Sequence, residues 1–222
     1  MSRGRPRFQG VVFDLDGTLL DSMAFVLEGM ATVVEPFRSR PDRAEVMRSL
    51  GGPSEACLRR LLGGRAHLDA AHRAYMRFLA KHDDSIRLYR GARKLLRDLH
   101  SAAIPLGIWT GRERSLTEAG LRALALTRRF DVLICGDDLP SHKPDPAGLL
   151  QIVRRWGLKT GEVLFVGDSD QDFAGARAAG VPLIAIHHGR AIPPARLRHS
   201  FAVVATPAKA FACVRRVLLG GK

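Results

Sequence analysis

The sequence predicts an α/β protein, with a Rossmann-like parallel sheet as its core and a small α-helical domain inserted into it. Five apolar, partly β-branched runs of strand length recur along the chain. Helical stretches of 3.6-residue periodicity follow the second, third and fourth of them. The long interval between the first run and the second carries only helical patterns. Strands and helices alternating at this spacing imply parallel pairing through right-handed crossovers.

The elements follow in chain order. Gly10–Phe13 is the first strand, and it ends on Asp14. From Ser22 to about Arg90 no convincing strand is expected. Helices are expected at Phe25–Val34, Arg43–Leu50, Ser54–Leu62 and Leu68–His82, punctuated by Pro36, Pro41, Gly51–Pro53 and Gly63–Gly64. Four amphipathic stretches can bury a core of their own. The expected division is therefore a sheet domain of residues 1–21 and 91–222, with residues 22–90 as the helical insertion. Strand Pro105–Trp109 then leads to helix Ser115–Leu124, Asp131–Cys135 to Pro146–Trp156, and Val163–Val166 to Asp170–Ala179. Gly157 and Gly180 stand where left-handed caps end the last two helices, and Val181–Ile186 is the fifth strand.

Composition excludes several classes. The 222 residues are 46% hydrophobic and 26% charged, the balance of a soluble globular protein. No apolar run approaches the roughly 20 residues that cross a bilayer. Residues 1–7 are basic but lead straight into a strand, without the apolar segment of a secretory signal. The three scattered cysteines, Cys57, Cys135 and Cys213, suit free thiols in a reducing compartment, so a cytoplasmic location is expected. The net charge of +13 is carried by arginines spread along the chain, and aromatic residues are only 6%. That pattern reads first as a solvated, arginine-biased surface; its field could concentrate small phosphorylated metabolites as readily as attract nucleic acid, and a specific nucleic-acid site is not expected.

Four short segments carry the chemistry. In Val11–Thr18, Asp14 and Asp16 stand two residues apart directly after a buried strand, with Gly17 and Thr18 completing a turn. Carboxylates that close repel, and a divalent cation is the usual relief. Thr110–Gly111–Arg112 brings a hydroxyl and a free backbone N–H to the next strand end. Alone it reads more often as simple turn chemistry, but its place suits a phosphate oxygen. Lys143, one of six lysines beside 29 arginines, lies in Lys143–Pro144–Asp145–Pro146. Pro144 favours an extended residue before it, and Pro146 suits a helix's first turn. Gly167–Asp172 follows the fourth strand. Helix capping accounts for Asp170 or Asp172, whereas Asp168 is left to complete a metal site with Asp14 and Asp16. An all-oxygen set fits Mg²⁺ and does not fit zinc.

Together, Asp14-Leu-Asp16-Gly-Thr18, Thr110-Gly-Arg, Lys143-Pro-Asp-Pro and Gly167-Asp168-Ser-Asp-Gln-Asp172 resemble the four motifs of the haloacid dehalogenase superfamily, in order. The helical insertion matches the position of that family's C1 cap, and among the phosphatases the layout resembles phosphoglycolate phosphatases. The resemblance implies a Mg²⁺-dependent phosphatase acting on a small phosphate monoester, as a monomer or homodimer. It implies Asp14 as nucleophile, forming an aspartyl-phosphate, and Asp16 as general acid and base. Mg²⁺ would be held by Asp14, the backbone carbonyl of Asp16, and Asp168. Thr110, Gly111 and Lys143 would hold phosphoryl oxygens, and Asp172 would order a metal-bound water. A β-phosphoglucomutase-type phosphomutase shares the nucleophile and acid/base, but its cap usually carries Leu-Lys-Gly where this chain has Leu50–Gly51–Gly52. A non-catalytic binding module would have lost Asp14 or Asp16, and both are present.

Overall fold

The computed structural model describes residues 7–81, 86–198 and 200–220. Its centre is a six-stranded, all-parallel sheet: β1 (Gly10–Phe13), β4 (Leu106–Trp109), β5 (Val132–Ile134), β6 (Val163–Gly167), β7 (Leu183–Ile186) and β8 (Ser200–Val204). The spatial order is β5-β4-β1-β6-β7-β8. The chain winds outward from β1 to β5, then returns to β6 on the other side of β1. The switch point therefore lies between β1 and β6, where a crevice opens at the strands' carboxyl ends.

Burial on both faces explains the continuous apolar runs. Val11 and Phe13 of β1 and Leu164 and Val166 of β6 point to one face. There they meet Leu95, Leu96 and Leu99 of α5 (Ala92–Ser101) and Phe211 and Val214 of α10 (Pro207–Leu219). Val12, Val163 and Phe165 point to the other face. They meet Leu149, Ile152 and Val153 of α7 (Ala147–Arg155) and Phe173 and Ala176 of α8 (Asp170–Ala179). The period-2 alternation within each run decides which side chain serves which layer.

The segment between β1 and β4 is helical: α1 (Met23–Val34), α2 (Arg43–Ser49), α3 (Ser54–Leu62) and α4 (Leu68–Lys81). Its interior is a separate cluster that includes Leu27, Met30, Val34, Val46, Leu58, Leu61, Tyr75 and Leu79. His82, the last residue of the expected fourth helix, lies outside the described residues.

Four expectations need correction. A strand does occur before Arg90. The short β2 (Leu20–Asp21) pairs antiparallel with β3 (Arg87–Leu88), tying together the two ends of the helical segment. Two-residue strands are too short for alternation to reveal. The sheet also has a sixth strand, β8, half-buried at the edge; its apolar run Phe201–Val204 was passed over in the sequence. Next, α5 and α10 complete one face of the sheet and had not been expected as helices. Finally, Pro146 precedes its helix rather than opening it, and the Lys143–Pro144 peptide bond is cis.

Candidate active site

Asp14 and Asp168 leave the carboxyl ends of the adjacent strands β1 and β6, and the switch point brings them together. Asp172 comes from the first turn of α8, where Ser169 and Asp172 cap each other. The Ser169 hydroxyl accepts from the Asp172 N–H at 3.1 Å, and Asp172 Oδ2 accepts from the Ser169 N–H at 3.0 Å. The three buried carboxylates offer oxygens that all lie within 4.8 Å of one another.

Lys143 is the cation among them. Its Nζ donates to Asp14 Oδ1 at 2.7 Å and to Asp172 Oδ1 at 2.6 Å. It lies 4.7 Å from the Trp109 ring centre and 5.4 Å from that of Phe165, an aromatic floor that favours a cation. Asp168 is less satisfied: its Oδ1 accepts from the Thr18 hydroxyl at 3.1 Å, and His188 Nε2 stands 3.7 Å from its Oδ2. The Asp168 backbone carbonyl accepts from Arg190.

The electrostatics are those of an over-charged pocket. Burial, reinforced by Asp172 and opposed by Lys143, pushes the Asp14 carboxyl up to about 7. Burial, Asp14 and Asp172 push Asp168 well above the carboxylate range. For Lys143, burial opposes the charge, but Asp14 and Asp172 outweigh it and raise the pKa. Three carboxylates crowded around one ammonium cannot all carry charge without a negative excess in a low-dielectric site. A divalent cation on oxygen ligands removes that excess, and Asp14 and Asp168 offer the donors for one.

Asp16 is turned away from this group. Its carboxylate accepts from Arg112 Nη2 at 2.5 Å, from Arg112 Nε at 3.1 Å and from the Ser22 hydroxyl at 2.5 Å. Burial pulls its pKa upward, but the Arg112 and Ser22 interactions prevail and hold it below the ordinary value. Between Asp16 and Thr18 the chain turns at Gly17, where φ is +83° and a Cβ would strike the Asp168 carboxylate. Only glycine fits that approach.

Thr110 is buried at the end of β4, and its Oγ1 accepts from the Arg112 N–H at 3.2 Å. A Cβ on Gly111 would come within 3.1 Å of the Gly52 nitrogen, so the turn after β4 lies directly beneath the α2–α3 link. That link is held down at both ends. Gln171 Nε2 donates to the Leu50 carbonyl at 2.8 Å, and the Ser54 N–H donates to Glu113 Oε1 at 2.6 Å.

Beneath the helices opens a cavity of about 810 Å³. Asp14, Asp16, Thr110, Gly111, Lys143 and Asp168 all line it, and Asp172 stands behind Lys143. Sequence reasoning left Arg112, Arg190, Gln171 and Glu113 without roles. Arg190 follows β7 within His187–Arg190, and the same strand-end rule that pointed to Asp168 could have found it.

The profile of haloacid dehalogenase-like hydrolases matches residues 11–186. A phosphoglycolate phosphatase of Pseudomonas fluorescens is 32% identical over 203 residues, covering 85% of this chain and 75% of that protein. One from Yersinia pestis is 32% identical over 194 residues, covering 82% of each. The crystal structure of a hydrolase from Pseudomonas syringae superposes with a TM-score of 0.82 at 21% identity, covering 96% of this chain and 99% of that one, a likeness of fold.

Proposed function

We propose, for a chain that belongs to the haloacid dehalogenase-like hydrolase family, hydrolysis of a phosphate monoester through an aspartyl-phosphate on Asp14, with Mg²⁺ as cofactor. The observation that carries this reading is Asp14 itself: a buried strand-end carboxylate at the cavity floor, with Lys143 on one oxygen and Asp168 beside it.

In this reading Asp14 attacks phosphorus in line with the departing alcohol. Lys143, the Thr110 hydroxyl and the Gly111 N–H bind the phosphoryl oxygens and stabilise the charge that develops on them. Asp16 delivers a proton to the leaving oxygen and later takes one from the attacking water. The carboxylate that Arg112 and Ser22 hold is the form suited to that second step. Asp14 and Asp168, with the Asp16 carbonyl, would hold the Mg²⁺, and Asp172 would order water next to it. When bound, the ion screens the nucleophile from the dianion it attacks.

Residues 22–90 act as a cap over a core of residues 1–21 and 91–222. The separate interior of α1–α4 and the β2–β3 tie support that division. A small phosphorylated metabolite is the substrate class, in keeping with the relatives named for phosphoglycolate. Among the described residues no helix is long and apolar enough to cross a membrane.

The test is phosphate release from p-nitrophenyl phosphate in Mg²⁺ and in EDTA, for the wild type and Asp14→Asn. Turnover should require the metal, and the amide variant should stay folded while kcat falls more than about a hundredfold. Metal-independent turnover, or an active Asp14→Asn protein, refutes the reading.

A further inference from the structure

The floor of the cavity is charged, but the wall opposite is apolar. Met23, Val26 and Met30 of α1, Met47 of α2, Leu79 of α4 and Leu116 of α6 (Arg114–Ala123) face the same space as Asp14 and Lys143. Val26, Met30 and Leu79 are otherwise buried, at 8%, 3% and 7% exposure, so this is interior apolar surface turned toward a void. The cations are placed differently. Arg112 and Arg190 donate to Asp16 and to the Asp168 carbonyl, while Arg43 and Arg48 of α2 also line the cavity but are largely exposed.

We infer that the cavity takes a phosphate monoester whose alcohol carries an extended apolar body, with the phosphate on Asp14 and Lys143 and the body along α1 and α4. The inference rests on the phosphatase reading for its phosphate end and on the cavity for the rest. A volume of about 810 Å³ lies high in the range of sites that enclose a drug-sized ligand, roughly 300–1,000 Å³. A two-carbon acid such as glycolate would leave the methionine and leucine faces against water. An alkyl or aryl body would cover them, and the three flexible thioethers can adapt to its shape. The exposed Arg43 and Arg48, which share the cavity's lining, would then draw dianions toward it.

Binding of n-alkylphosphonates from ethyl to octyl, measured by calorimetry on the Mg²⁺-loaded wild type, reads the cavity without turnover. Hydrolysis of the matching n-alkyl phosphates, and of 2-phosphoglycolate, reads it with turnover. Affinity and kcat/KM should each rise about fourfold per methylene until the wall is covered. Leu79→Gln and Met30→Gln should flatten that slope. Equal affinity for ethyl- and hexylphosphonate, or a higher kcat/KM for 2-phosphoglycolate than for hexyl phosphate, overturns the inference. A chain-length slope in binding with no hydrolysis of any ester supports the apolar cavity and removes the phosphatase reading instead.

Discussion

Metal affinity at this site should depend steeply on pH, because the ion and the proton compete for Asp14. With its pKa raised to about 7 in the metal-free protein, Asp14 is largely protonated at pH 5.5 and largely ionised at pH 7.5. For one competing proton the apparent dissociation constant scales as one plus the ratio of protonated to ionised carboxyl. That factor is about 1.3 at pH 7.5 and about 33 at pH 5.5, a loss of roughly 25-fold in affinity. Asp168 is raised as well, so the loss should be at least that large. A 25-fold change is about 1.9 kcal/mol. Under metal excess, the Mg²⁺-induced rise in Tm should therefore be about 4–8 °C smaller at pH 5.5 than at pH 7.5. Stability of the metal-free protein moves the other way. Asp14 holds its proton more tightly folded than unfolded, so that protein loses stability as pH climbs from about 4 through 7. Isothermal titration of EDTA-stripped protein in buffers of differing ionisation enthalpy would measure both the affinity and the proton released. A dissociation constant unchanged between pH 5.5 and 7.5, with no proton release, refutes the argument. So does an unchanged pH dependence in Asp14→Asn.

Gly17→Ala should cost about 1–3 kcal/mol in denaturant unfolding, from its positive φ alone. It should also abolish the Mg²⁺-induced thermal shift, because the new methyl would displace Asp168. Arg112→Met, which removes the partner holding Asp16, should lower kcat at least about tenfold while the Mg²⁺-induced shift persists. An unchanged kcat would leave the Arg112–Asp16 pair without a catalytic role. Replacing Mg²⁺ by Ca²⁺ should preserve thermal stabilisation yet inhibit turnover, since the larger ion can take both Asp14 oxygens and occupy the attacking lone pair. Steady-state assays with the two ions at equal occupancy decide this.

The sheet's inner strands were legible because burial on both faces leaves uninterrupted apolar runs, and Gly10–Phe13 begins and ends where the pattern says. The edge strand β8 was legible in its apolar run Phe201–Val204 but was not read, whereas the β2–β3 pair is too short for a period to register. In the site, Asp14 and Asp168 could be picked out because each follows an apolar run with a charge that burial would otherwise forbid, and Lys143 because lysine is scarce and prolines fix its place. Arg112 stood in plain view beside Thr110, but nothing local indicates that its guanidinium meets Asp16, 96 residues away.

Order along the chain, strand-end chemistry and the helical interval follow from the sequence alone, since side-chain period and turn residues are local properties. The family resemblance uses the same local information. Which carboxylates share a cluster, and which is drawn off by an arginine, depends on the strand order around β1 and on rotamers chosen by packing. So does the apolar wall of the cavity. Met30 and Leu79 read as ordinary core residues of an amphipathic helix, and the periodicity that buries them is the same whether they meet another helix or a void. Only the docking of α1–α4 over the strand ends turns part of that buried face toward Asp14.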